Sequence, residues 1–484
     1  MRSSVRLLSA LMGVSAVLAV PGVAAGQTPP PAEPSGSQNM RLLANLPLTN
    51  PGTVSVRGSD LAFWGDRAYA GNYGGFRIID ISQPSSPREL ADVRCPGPQN
   101  DVSVWNNELL FLSVDVPQTS PRCGGRNTTF AATPDAFEGI RIFDVRDPRD
   151  PVYLTSVATD CGSHTHTLVP DTANDRVLIY VSSYALGASS IGPDCPAPTA
   201  EDPVSHDKIS IVEVPLDDPR NSAVINEPGS MFEGGEVCTP TLTNPFFPGL
   251  DDDFICNPAD DASEPWASRG CHDIQVFLEP RLAACAALAE GQIWDISDLE
   301  EPRLIKRVDN PNVEFWHSAV FTWDGRYAVF TDEAGGGGDP WCTPETPATI
   351  GANWVFPVAG ETGEAVANYK TPRPSYGNCT SHNGNMIPVR GRYLHVQASN
   401  TAGTSVFDFT NLAAPAETAF FDAPASSPWS SYFYNGFVYA NGRIRGFDVL
   451  FPRDPARRRA RDLSHLNPQT QERLLFGPAA SGGT

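Results

Sequence analysis

Short runs rich in Ile, Val, Phe, Tyr and Trp, broken every few residues by Pro, Asp, Asn, Ser or Gly, recur along this chain between residues 41 and 450. "FRIIDIS" (76–82) leads through "QPSSP" into "RELADV". "IRIFDVR" (140–146) leads into "DPRDPVYLTSV", and "QIWDIS" (292–297) into "DLEEPRLIKRV". Looser copies start at Ile209 ("ISIVEVP"), Asn353 ("NWVFPV"), Ser405 ("SVFDFTN") and Ile444 ("IRGFDVL"). A β-rich run, a turn and a second β-rich run predict a hairpin. Upstream of the hairpins lie further strand pairs, among them "SDLAFWGDRAYAG", "NDVSVWNNELLFLS" and "HSAVFTWDGRYAVFTD". Their turns carry the Gly, Asn, Asp or Pro that tight turns require. The unit is therefore four antiparallel strands, a to d, and seven copies can be counted.

Such a unit cannot bury both of its faces alone, whereas a radial ring of them can. The predicted fold is all-β: a seven-bladed β-propeller of four-stranded antiparallel blades over residues 41–450. The seventh unit stops at strand c, and "RLLANLPLTN" (41–50) reads like the missing strand d. The ring is thus expected to be closed by an N-terminal outer strand. Residues 451–484, with the basic run "ARRRAR" (456–461), are expected to form a flexible tail. "FRIID", "IRIFD" and "QIWD" resemble the segment that names the LVIVD-repeat family. The resemblance implies an extracellular or periplasmic propeller and implies no particular activity. The fifth copy departs from it, since "NWVFPV" lacks the Asp.

In an antiparallel blade the b–c and d–a connections share one face, the top. The long insertions at 115–138, 184–208, 226–270 and 334–352 all fall there. Elaborated loops on one rigid face are where binding sites concentrate. Most cysteines lie on the same face, and the pairings Cys95–Cys123, Cys161–Cys195 and Cys342–Cys379 would tie long loops to neighbouring strand entries. The absence of any CxxC pair argues against a thiolate zinc site.

Only eight histidines occur, two of them in "CGSHTHT". Aligned by strand, the first position of strand a reads Ser59, Asn100, His166, His272, His317, His382 and Trp429 in blades 1 to 7. Strand a is innermost, so this position rims the top mouth of the central channel. His164, two residues before His166, should face the same way. Imidazoles from several inner strands can share one ion at roughly 2.0–2.1 Å, and such a set suits copper, iron or zinc. The candidate metal ligands are His164, His166, His272, His317 and His382. Glu314, Asp332 and Glu333 are candidate acceptors for the other imidazole nitrogens, and Ser59, Asn100 and Trp429 flank the open side. The acidic loop Asp251–Asp261 is a candidate calcium site by its oxygen donors.

Composition then narrows the partners. A formal charge of −22 excludes nucleic acid, which needs clustered Lys and Arg. Residues 1–26 read as a signal peptide, with Arg2 and Arg6 before the apolar run 7–20, and 27–40 as a Pro-rich linker. That run is short for a membrane span, so no transmembrane segment is expected in the mature chain. Ten cysteines fit the oxidising compartment of a secreted or periplasmic protein. The expectation is a monomer that binds a small molecule, protein or glycan at its top face, with metal-dependent oxidation as the reaction class if it is an enzyme. The alternative is a non-catalytic protein- or glycan-interaction module whose histidines only brace the blades.

Overall fold

The computed structural model describes residues 35–48, 56–184, 192, 195, 206–234, 270–334, 346–373, 378–423 and 426–477. They form seven separate sheets, one per blade, each built on four antiparallel strands. The inner strands a are Gly58–Trp64, Val102–Trp105, Thr165–Asp171, Asp273–Phe277, Trp316–Phe321, Gly384–Met386 and Pro428–Tyr434. In blade 1, strands b, c and d follow as Arg67–Asn72, Gly75–Asp80 and Arg88–Arg94. Strands b and c are buried on both faces, because each blade is sandwiched between two others, while Arg88–Arg94 is largely half-buried or exposed. Hence the inner strands read as nearly continuous apolar runs and the outer ones do not.

The core is correspondingly divided into the seams between blades. Tyr69 and Ile78 of blade 1 pack on Leu110 and Phe143 of blade 2, and Tyr180 of blade 3 packs with Trp294 of blade 4. Tyr432 and Phe447 of blade 7 meet Leu61 and Phe63 of blade 1, which closes the circle. The ring closes as expected: Met40–Leu46 pairs antiparallel with Gly446–Pro452 as the outer strand of blade 7. Blade 5, whose repeat lacks the Asp, has an outer strand of only three residues, Ala367–Tyr369.

The Asp of the repeat has a local task. Asp80, Asp144, Asp295 and Asp408 each end strand c and accept a hydrogen bond from the backbone N–H two residues on, at 2.8–3.0 Å. This side-chain turn starts the c–d hairpin. At the other end of strand c stands a glycine. Gly75 has φ +144°, and a Cβ there would lie 1.8 Å from the Val93 carbonyl oxygen on strand d. Gly139 repeats the arrangement against Val157. We expect Gly75→Ala to destabilise the fold by at least about 2 kcal/mol, since a strained backbone and a main-chain clash coincide. Urea denaturation would show it, with Gly477→Ala, whose Cβ meets nothing within 4 Å, unchanged.

The segment after strand c of blade 7 corrects the expectation of a flexible tail. Through residue 477 it is built into the ring. Pro455–Arg459 forms a short 3-10 turn. His465–Leu466 then pairs with strand a of blade 1, and Thr470–Gln471 pairs in parallel with strand a of blade 4. Asn467 bonds both the N–H and the C=O of Val104 (2.8 and 3.0 Å), Gln469 donates to Asp60 (2.8 Å), Thr470 to the Leu168 carbonyl (2.6 Å) and Gln471 to the Phe321 carbonyl (3.1 Å). The segment thus crosses the lower channel and touches the inner strands of blades 1 to 5.

Cys95–Cys123 and Cys161–Cys195 are disulfides, and a third joins Cys271 to Cys285. Cys379 is also disulfide-bonded; Cys342, its expected partner, lies outside the described residues, as do the signal-peptide and calcium-loop segments.

Candidate metal centre at the channel mouth

The backbone sets the register of the inner ring. The N–H of His164 donates to Ser182 (2.9 Å), that of His272 to Ala286 (2.8 Å) and that of His382 to Ala398 (3.0 Å), each carbonyl belonging to strand b of the same blade. These three residues are therefore equivalent. In blade 5 an irregularity between Trp316 and Ala319 brings His317 to the same place. Ser59, Asn100 and Trp429 complete the ring.

Blade 3 contradicts the sequence register. His164, not His166, occupies its position. The a–b hairpin of this blade extends by two pairs, Pro170↔Val177 and Asp171↔Arg176, beyond the pair that ends it in blade 4. Counting back from the turn therefore stops two residues short. His166 sits deeper, its Nε2 2.7 Å from Ser103 Oγ and its Nδ1 2.8 Å from Ser113 Oγ. Both nitrogens are satisfied, and burial pushes its pKa down to about 3. It braces blade 2 against blade 3.

The four ring histidines form an arc. His164 and His272 face each other through their Nε2 atoms at 2.9 Å. Ring centroids are 4.0 Å apart for His272 and His317, 4.2 Å for His317 and His382, and 4.5 Å for His382 and Trp429. A second ring, which sequence reasoning largely missed, stands above them. It comprises the residue two positions beyond the strand-b partner of each strand-a start: Tyr73, Asp115, Tyr184, Leu288, Glu333, Asn400 and Arg443. The same strand alignment could have found it. Asp115 Oδ2 lies 3.1 Å from His164 Nδ1. Tyr184 packs against His164 and His272 at 4.9 and 5.7 Å between centroids. Glu333 reaches inward, with Oε2 3.5 Å from His317 Nε2 and Oε1 3.3 Å from His382 Nε2. Asn400 donates to Glu333 Oε1 at 3.1 Å.

One donor atom from each of His272, His317 and Glu333 lies within 4.8 Å of the others. Donors around a single ion at roughly 2.1 Å stand about 3–3.5 Å apart, so a small inward adjustment suffices. Burial, reinforced by neighbouring charged groups, holds His272, His317 and His382 well below the ordinary imidazole value. They are neutral at pH 7, the form that binds metals. Burial pushes the Glu333 carboxyl up to about 7, against the pull of Arg443. His317 Nε2 is buried without a hydrogen-bond partner, while the His272 and His382 imidazoles have the backbone groups of His317 and Trp429 beside them. An unsatisfied buried nitrogen is costly, and two imidazoles plus a carboxylate are the donor set of non-haem iron sites. The residues present fit a transition-metal ion.

Other expected site residues lie apart from this set. Asp332 accepts from the backbone N–H groups of Phe315, Glu314 and Gly351 (3.0, 3.3 and 2.8 Å), clamping the blade 5 loops rather than an imidazole. Glu314 is half-buried in that loop. Ser59 donates to the Asn100 carbonyl and Asn100 to the Asn72 carbonyl, so both brace blade 1 to blade 2. The histidines off the register stay off it: His206 faces Ser183, His395 faces Tyr369, and His465 stacks on Trp64.

The LVIVD repeat matches residues 57–94. No curated protein matches the chain. Similar solved structures include a candidate 6-phosphogluconolactonase of Bacteroides uniformis (12% identity, 84% of this chain and 96% of that one, TM-score 0.49). Others are the WD40 propeller domain of Doa1 (11%, 86% and 98%, 0.47) and a protein of Lactobacillus plantarum (11%, 86% and 97%, 0.49). Among the described residues no helix is long and apolar enough to cross a membrane.

Proposed function

We propose that this seven-bladed β-propeller, whose residues 57–94 match the LVIVD repeat, holds a divalent transition metal at its channel mouth and binds a small molecule above it. His272, His317 and Glu333 are the ligands, and His164 and His382 flank them. The observation that carries this reading is the convergence of two imidazoles and a buried carboxylate, one donor atom of each lying within 4.8 Å of the others. His166 supplies the contrast within the same molecule. It is a structural histidine, and its two nitrogens are both engaged by serines.

Three protein ligands leave coordination positions open for water or substrate. Iron is the best match to the donor set, with copper and zinc next, and metal-dependent oxidation is the reaction class that such an open site serves. The disulfides support an oxidising compartment, in keeping with a secreted or periplasmic protein. Protein purified without an affinity tag and incubated separately with ferrous iron, copper and zinc should retain about one equivalent of metal per chain after desalting. Retention below about one-tenth equivalent of all three metals would sink the metal reading. It would leave the histidines as braces and the top face as a protein- or glycan-binding surface.

A further inference from the structure

Arg443 stands beside the proposed metal set without a full complement of partners. It leaves the b–c turn of blade 7 at the second-ring position, and its N–H donates to the Ser427 carbonyl (2.8 Å). Its guanidinium lies 4.9 Å over the Trp429 ring, which in turn packs edge-on against His382. Arg443 Nη2 is 3.9 Å from Glu333 Oε1, beyond hydrogen-bond distance, and Nε is buried with no partner at all. Glu333 is already committed to Asn400 and faces two imidazoles. One carboxylate therefore faces several donors and only one cation, Arg443.

A divalent ion contributes +2, Arg443 +1 and Glu333 −1, while His272, His317 and His382 are neutral. The loaded centre retains an excess of positive charge inside a low-dielectric mouth, where such an excess is expensive. Asp115, hydrogen-bonded to His164 on the far side of the arc, offsets one of these charges and still leaves a positive excess. A planar guanidinium with an unused Nε is built to take a carboxylate through two parallel hydrogen bonds. Around it stand Tyr73, edge-on to Trp429 at 6.3 Å, and Tyr184 on the opposite wall.

We infer that the ligand of this site is a small carboxylate with an apolar or aromatic body, its carboxylate spanning the metal and Arg443 and its body lying against Trp429, Tyr73 and Tyr184. The inference rests on the metal reading. It is tested with benzoate and its neutral isostere benzamide, titrated calorimetrically into protein whose metal content is measured first. Loaded protein should bind benzoate at least about tenfold more tightly than benzamide, the scale of hydrogen bonds to a charged group. Arg443→Met should keep its metal and lose at least about tenfold in benzoate affinity, with Arg443→Lys recovering part of it through charge alone. If Arg443→Met does not fold, Arg443→Gln is read the same way. Equal affinity for the two probes, or benzoate binding indifferent to residue 443, overturns the inference while leaving the metal standing. Failure of the wild-type chain to take up metal overturns both.

Discussion

A chain ending at Arg461 is expected to be less stable than the full-length protein by about 4–6 kcal/mol, a large share of the ~5–15 kcal/mol that folded domains have in total. The missing segment supplies partners that the inner strands cannot find elsewhere. Val276 and Leu278 donate their N–H groups to Gln469 and Gln471, and Leu475 donates to the Trp323 carbonyl. The side chains of Asn467, Thr470 and Gln471 satisfy backbone groups of blades 2, 3 and 5. Each such bond is worth about 1 kcal/mol net, and more if the group is left buried and dry. Water entering the vacated channel and the entropy recovered by the lost residues offset part of the sum. Apolar contacts add to it. Leu466 packs into the seam between blades 7 and 1, and Phe476 into the seam between blades 5 and 6. Removing the segment therefore loosens the seams that hold a radial architecture together. A drop of about 5 °C or more in thermal midpoint is the expected reading for a chain of this size. A midpoint within 1 °C of the full-length value would mean that the ring stands without its floor.

That segment also marks where sequence reasoning stopped. The blades were readable because each repeat writes the same physics twice. Apolar strands are buried on both faces, and an Asp turns strand c into strand d. The N-terminal strand of blade 7 was readable because it resembles other outer strands. "LNPQTQE" offers neither an apolar period nor a turn signature. It holds its place through side-chain amides and hydroxyls that replace the partners missing at inner-strand edges, and such bonds leave no periodic trace. The histidine arc was legible in three blades and misplaced by two residues in the fourth, because the longer hairpin of blade 3 moves the turn while the strand register stays fixed. Glu333 was expected to support an imidazole from outside. The structure places it among the candidate ligands because the strand-b exits rise above the strand-a starts in every blade.

The sharpest consequence of the corrected register is a contrast between two histidines that sit one residue apart from a shared neighbour. His272→Ala, His317→Ala and Glu333→Leu should each lower metal affinity by about a thousandfold. Loss of a supporting residue outside a metal's own ligands already costs 10–100-fold, and a ligand costs more. His164→Ala removes the imidazole that faces His272 Nε2 at 2.9 Å, and a loss of about 10–100-fold is expected. His166→Ala should leave metal affinity within about threefold of wild type, the span of ordinary context effects on a remote site. Its cost appears in folding instead. Ser103 and Ser113 lose their shared partner in a fully buried position, and stability should fall by about 2–3 kcal/mol. Metal titration and urea denaturation on the same five proteins separate the two effects. A His166→Ala protein that folds normally and loses its metal would return His166 to the ligand set and overturn the register derived from the strand pairing. Equal metal affinity in wild type, His272→Ala and His317→Ala would instead remove the arc from the site altogether. The rest of the ring predicts neither result, because strand pairing fixes where a histidine stands and the second ring decides what its nitrogens meet.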